Sequence, residues 1–217
     1  MVSLGEQLVN VGCLMADLAE RRKELLDSMM REAIYDGAVK VLTGHGIGGL
    51  TMDRVAAAAG VAKGSLYNHF RSKKDLLEFV HERAIAPMRA AADEIAVGPL
   101  SPSKKLKAVL SAWRTNLEQR RELFEFLIND SIAEGILKES AMTARESAIE
   151  TIATIIRQGI ERGEFCPMDA DVLADIFLGA TIGMCEREFA TGVRRTVEEA
   201  VDALMRVFLF GVSTGRA

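Results

Sequence analysis

One stretch limits what this chain can fold into more than any other, the run from Leu50 through Thr51, Gly60 and Lys63 to Phe70. Thr51 carries a hydroxyl that can accept from a free N–H two or three residues on, which marks a helix start. Val55, Ala56 and Ala59 give that helix a small apolar face. Gly60 closes it, because the backbone there needs a residue at ease with positive φ. Val61 buries the turn, and a second short helix opens at Lys63. Two short helices joined by a tight glycine turn make a helix-turn-helix, the motif whose second helix enters a major groove.

The second helix is loaded with donors. Leu66 and Phe70 lie one helical turn apart and face inward, which leaves Lys63, Ser65, Tyr67, Asn68 and His69 for the other faces. Serine, tyrosine, asparagine and histidine side chains hydrogen-bond base edges or phosphate oxygens, and lysine adds charge. Gly64 lets the start of the helix approach a duplex closely. The phenol tip of Tyr67 argues for a phosphate contact, whereas His69 reads equally as DNA-facing or as helix packing. Ser72 is placed to cap the next helix. Lys73 and Lys74 follow, and positive charge at a helix start opposes the helix dipole, so it asks for an anionic partner such as phosphate.

The wider pattern carries a resemblance. Arg31, Glu32, Ile34, Ala38, Gly46, Leu50, Thr51, Val55, Ala56, Ala59, Gly60, Val61, Lys63–Tyr67, His69, Phe70, Lys73, Leu76 and Leu77 together resemble the N-terminal domain of TetR-family (tetracycline-repressor-like) transcriptional regulators. The likeness covers residues 28–85 and is far more specific than a bare helix-turn-helix. It implies an all-α homodimer with an N-terminal three-helix DNA-binding domain and a C-terminal helical domain for ligand binding and dimerisation. Position by position it implies phosphate contacts at Thr51 and Lys73, and a recognition helix displaying Lys63, Gly64, Ser65, Tyr67, Asn68 and His69. Three positions depart from the pattern. Ala62 replaces a hydroxyl residue, which predicts a missing helix cap. Leu42 and Asn68 replace aromatic residues, and Asn68 leaves the base preference open.

Charge is unevenly placed within the net -4. Residues 21–83 hold 11 Lys/Arg against 8 Asp/Glu, while residues on either side are acidic. A mildly basic head on an acidic body suits a protein that touches a double-stranded DNA operator at one end. Cys13, Cys166 and Cys185 form no C-x-x-C pair, so reduced, mostly buried thiols are expected. No apolar run approaches the ~20 residues of a membrane span, and no basic n-region opens the chain. A cytoplasmic protein without membrane partners is the expectation.

Along the chain, residues 1–27 precede the resemblance. Leu4, Leu8, Val11, Met15 and Leu18 recur every three or four positions, so this extension reads as partly disordered or as an amphipathic helix leading into the head. Residues 28–43 predict the first head helix, ended by the glycine-rich Gly44–Gly49 loop. The helix from Lys73 should kink or stop at Pro87. Residues 86–217 read as the effector-binding and dimerisation domain, with helices at 103–118, 121–129, 140–162, 170–191 and 197–212.

In that body, the helix at 170–191 is apolar on two sides, with Leu173, Ile176, Phe177 and Ala180 on one and Leu178, Ile182 and Cys185 on another. By resemblance it pairs, together with the last helix, with its copy in a four-helix dimer interface. Trp113, Phe124, Phe126, Met142, Phe177 and Met184 are the candidate effector-lining residues, since aromatic and methionine side chains suit an adaptable apolar cavity. Arg114, Asn116, Asn129 and Glu186 are candidate polar anchors. A small, largely apolar effector is therefore expected. No catalytic motif, metal-ligand spacing or cofactor signature appears, and His45, His69 and His81 are scattered. The competing reading is a helical interaction module that keeps the head fold without reading DNA.

Overall fold

The computed structural model describes the backbone of residues 4–211, and side chains from Leu18 onward except that of Asn129. The expected stripe at Leu4, Leu8, Val11 and Met15, the thiol of Cys13 and the Asn129 anchor therefore lie outside the described side chains. Val212 lies outside the described residues. Nine helices and no strand occur among the described residues. They divide into two compact units, Met1–Leu76 and Leu77–Ala217.

In the first unit, α1 (Leu4–Gly49) is helical from Leu4 onward and runs on through the segment expected at 28–43. The glycine-rich stretch is not a loop. Helix persists to Gly49 and breaks only at Gly46, whose φ of 64° suits glycine alone. Ile34, Ala38, Val41 and Leu42 form the buried stripe of α1. Against it packs α2 (Met52–Ala59), capped by the Thr51 hydroxyl, which accepts from Arg54 N at 3.3 Å. Gly60 ends α2 in the left-handed region at φ 68°. Then come α3 (Lys63–His69) and the start of α4 (Lys73–Val97). The contact that seats α2 is a close one. A Cβ on buried Gly37 of α1 would lie 2.7 Å from the backbone nitrogen of Ala59.

In the second unit α4 does not end at Pro87. Proline lacks the N–H that would bond the carbonyl one turn back, at Arg83. That carbonyl is instead taken by the Arg120 guanidinium at 3.0 Å. Arg120 caps the end of α5 (Pro102–Gln119), whose Asn116 and Trp113 donate to the α4 carbonyls of Ala84 and Met88. Two side chains of α5 and that of its capping residue thus meet the stretch of α4 around its proline. Where α4 ends, buried Lys105 donates to the Ala96 carbonyl at 2.6 Å and to Gln158 at 2.8 Å, a cation placed at a helix C-terminus. Ser101 makes no side-chain cap for α5. Glu164, distant in sequence, accepts from the Ser103 backbone and hydroxyl instead.

After α6 (Arg121–Asn129), α7 (Ser131–Glu161) begins well before the expected 140. Asp130 explains the difference, because its carboxylate accepts from Ile132 N and Ala133 N and nucleates the helix there. Asp169 caps α8 (Ala170–Thr191) in the same way, and Thr196 with Glu199 forms a capping box on α9 (Val197–Phe210). The core is made by Leu106 and Leu110 of α5, Ile152 and Ile156 of α7, Phe177 of α8 and Val201 of α9, with their neighbours.

Filling the Gly37 contact should be costly. Gly37→Ala is expected to destabilise the head by about 1–3 kcal/mol, the range for overpacking a tight site, read as a lower urea midpoint. An unchanged midpoint would mean that α2 does not sit against α1 in this way.

Candidate nucleic-acid interface

Burial sets which way α3 faces. Leu66 and Phe70 are in the head core, at 0% and 4% exposure, and Leu66 accepts the closing hydrogen bond from Phe70 N. A seven-residue helix anchored on one face must turn the rest outward. Tyr67 and Asn68 are exposed and Ser65 is half-buried, so all three reach the surface. A Cβ at Gly64 would meet only open space, which leaves the start of α3 without a bulky side chain on its outer side. Ala62 makes no side-chain cap, as its methyl requires.

The charged candidates are partly engaged. Lys63 is exposed and pairs with Asp53 at 2.6 Å, and that bond raises its pKa. The Lys73 ammonium donates to the Ile47 carbonyl, which pins the start of α4 to the end of α1 and leaves two of its three N–H groups. Ser72 caps α4: its hydroxyl accepts from Asp75 N at 3.1 Å and donates to the Asp75 carboxylate at 2.6 Å, holding the Asp75 pKa down. Thr51 stays exposed while capping α2.

His69 packs toward α1. Its side chain is 16% exposed, and its Nδ1 lies 3.5 Å from the Asp27 carboxylate on α1. It borders a shallow groove of about 440 Å³ shared with Lys23, Leu26, Asp27 and Met30. A ring held there is not free to read a base edge. Arg31 sits over the Phe70 ring at 5.9 Å, so the end of α3 is covered by α1.

The effector candidates scatter. Trp113 and Phe177 belong to the packed core, with Phe177 edge-on to Phe208 at 5.1 Å. Phe124 is buried, while Phe126 and Met184 are half-buried. Met142 is 53% exposed on α7. Among the polar anchors, Asn116 is committed to α4 and Glu186 is exposed. Arg114 is 1% exposed and meets a partner that sequence reasoning passed over, Glu188, which is equally buried at 2.9 Å. The signal was present: Glu188 continues the buried stripe Ala174, Phe177, Thr181, Cys185 of α8 at helical spacing. Burial lowers the Arg114 pKa, but the Glu188 bond and the nearby thiol outweigh it and hold the guanidinium above its ordinary value. Cys185 is buried, whereas Cys166 is exposed.

On α8, Ile176 is not beside Phe177. Phe177 points into the core, while Val172, Ile176, Ala180 and Gly183 form an exposed strip, and Val207 and Phe210 of α9 are exposed as well. No group of three or more metal-ligating side chains and no helix able to cross a membrane occurs among the described residues.

Residues 34–80, which contain this helix-turn-helix, match the family of bacterial regulatory proteins described as tetR. The likeness to that family is carried by the helix-turn-helix unit. It is 27% identical over 160 residues to the HTH-type transcriptional regulator SrpR of Pseudomonas putida, covering 71% of this chain and 72% of that protein. Two solved structures share the fold. SmeT of Stenotrophomonas maltophilia, in complex with triclosan, has a TM-score of 0.75 at 20% identity, covering 86% of this chain and 93% of that one. FadR of Bacillus subtilis, in complex with stearoyl-CoA, has a TM-score of 0.72 at 18% identity, covering 84% and 99%. SrpR is a transcriptional regulator of the helix-turn-helix type.

Supplying the absent cap on α3 has a clear expected outcome. Ala62→Ser should stabilise the protein by about 1 kcal/mol, seen as a raised midpoint of thermal unfolding. A lowered midpoint would show that the methyl makes contacts which outweigh a cap.

Proposed function

We propose that this chain is a TetR-family regulator, a homodimeric, sequence-specific DNA-binding repressor released from its operator by a small, largely apolar effector. The observation that carries the reading is the rotation of α3, with Leu66 and Phe70 inward and Ser65, Tyr67 and Asn68 outward beside an unobstructed Gly64. Those three side chains would meet base edges and phosphates in the major groove, while Thr51, Lys63 and Lys73 hold the backbone. His69 supports the helix from behind. In this reading residues 28–85 are the DNA-binding domain, residues 86–217 the effector-binding and dimerisation domain, and residues 1–27 an N-terminal extension.

Dimerisation would use the exposed strip Val172, Ile176, Ala180 and Gly183 with Val207 and Phe210, since apolar side chains exposed along one face favour a partner. Small residues at Ala180 and Gly183 let two such helices approach closely. A two-fold pair presents two recognition helices to successive major grooves. The effector would bind in the body near Phe124, Phe126 and Met184, against the Trp113 and Phe177 core. Triclosan, in complex with SmeT, is largely apolar and stearoyl-CoA, in complex with FadR, carries a long apolar acyl chain, which supports an effector with a large apolar part here. A coupling of about 1–3 kcal/mol between effector and DNA is enough to change occupancy.

Selecting bound sequences from a random duplex pool tests the whole reading. One sequence should be preferred, with affinity falling steeply as salt rises. On that duplex, Tyr67→Ala should weaken binding by about tenfold or more, the weight of one hydrogen bond to a charged group at about 1.5–3 kcal/mol, while sedimentation still shows a dimer. No loss in a gel-shift would remove Tyr67 from the interface. Ile176→Arg should instead yield monomers by sedimentation and abolish tight duplex binding. A dimer that survives this change would place the interface elsewhere.

A further inference from the structure

Arg114 sits in an ionic cluster that is one anion short. Its Nη2 donates to the Glu188 carboxylate at 2.9 Å, and its Nη1 lies 3.1 Å from the Cys185 sulfur. Its Nε is buried without a hydrogen-bond partner. Nε–H and Nη2 lie on the same edge of the guanidinium, the edge that a carboxylate grips with both oxygens. Glu188 occupies only half of it. Its other oxygen accepts from Arg195 at 3.2 Å, which holds the carboxylate in a bridging position. Glu118 lies 3.8 Å from Nη2 and is itself bonded to Arg121 at 2.9 Å. The linked ion pairs therefore join three guanidiniums to two carboxylates. A buried donor left unmade, in a cluster with surplus positive charge, is a costly arrangement that calls for an acceptor.

The surroundings say what else the acceptor carries. One turn along α5 from Arg114, on either side, are buried Leu110 and Leu117, and buried Phe189 follows Glu188 on α8. Thr181 offers no free hydroxyl, because it donates to the Phe177 carbonyl at 2.8 Å. The buried side chains next to Arg114 along α5 are apolar, and the unmet group is an N–H on a cation.

We propose that Arg114 is the effector's acid-binding residue, taking a monocarboxylate with an apolar tail whose two oxygens occupy the Nε and Nη2 edge in place of Glu188. Glu188 then keeps its bond to Arg195, so the exchange strands no charge. The acid completes the count of carboxylates against guanidiniums. Glu188 is thus a built-in competitor that occupies the site when no ligand does, and its release from α5 is the local event that binding produces on α8. This assignment rests on the effector-responsive reading above and narrows it to a chemical class.

Calorimetric titration of the full chain with dodecanoate and with dodecanol, both below aggregation, tests it. Wild type should bind dodecanoate at least about tenfold more tightly than the alcohol. Glu188→Gln keeps a neutral acceptor on Nη2 but weakens the competitor, so it should tighten dodecanoate several-fold and leave dodecanol unchanged. Arg114→Lys keeps the buried charge but lacks the two-donor edge, and should lose the preference for the acid. Equal affinity of wild type for both probes, or binding of neither, overturns the assignment; a water alone then satisfies Nε. An unchanged or weakened dodecanoate affinity in Glu188→Gln overturns it too, and that variant decides the matter if Arg114→Lys does not fold. Duplex binding measured on the same samples separates the two levels. A selected duplex bound and released by dodecanol but not by dodecanoate defeats only this assignment, whereas no preferred duplex defeats the regulator reading itself.

Discussion

The burial of Leu66 and Phe70 is the constraint on which the head's chemistry depends. A helix of seven residues has little stability of its own, so packing decides both whether it exists and which way it turns. With those two side chains at 0% and 4% exposure, rotation about the helix axis is removed, and Tyr67 and Asn68 have only solvent to face. The support beneath is equally specific. Gly37 lets the backbone of α2 lie on α1, and the Gly60 turn carries the chain from α2 into α3. His69 and Arg31 close the far end of α3 against α1. No single contact here is strong, but each removes a freedom that the recognition surface could not tolerate.

The body solves a different problem, that of backbone and charge left without partners in an apolar interior. Pro87 frees the Arg83 carbonyl, and Arg120 answers it. The last turn of α4 is met by the ammonium of Lys105, and the uncapped start of α5 by Glu164. Against that pattern of satisfied groups the Arg114 Nε stands out as an exception. Burying a guanidinium is tolerable when its charge and its donors are all met. Here the charge is met by Glu188 and one donor is not.

Much of the head was legible because its signals are local. Thr51 caps, Gly60 turns, Ala62 fails to cap and Ser72 caps, each acting within a few residues of itself. Helical periodicity likewise marked α5, α6, α8 and α9 to within a residue or two. What was misread depended on partners far along the chain or on competing local chemistry. The Gly44–Gly49 stretch looked like a loop, yet only Gly46 leaves the helix. Pro87 looked like a stop, yet a guanidinium on α5 takes the orphaned carbonyl. His69 was open between two roles until Asp27 was placed beside it, and Ile176 looked like a neighbour of Phe177 until α8 was rotated so that one is buried and the other is 55% exposed.

The amino-acid order by itself determined the helical class, the helix-turn-helix and the donors on the outer face of its second helix, because caps, turns and apolar spacing act over a single turn of chain. Only the tertiary structure decided that Glu188 and not Glu186 meets Arg114, that one edge of that guanidinium is half filled, and that Gly37 is where α2 lies against α1. Those facts arise where helices distant in sequence press together, and no local preference encodes which buried group will find its partner.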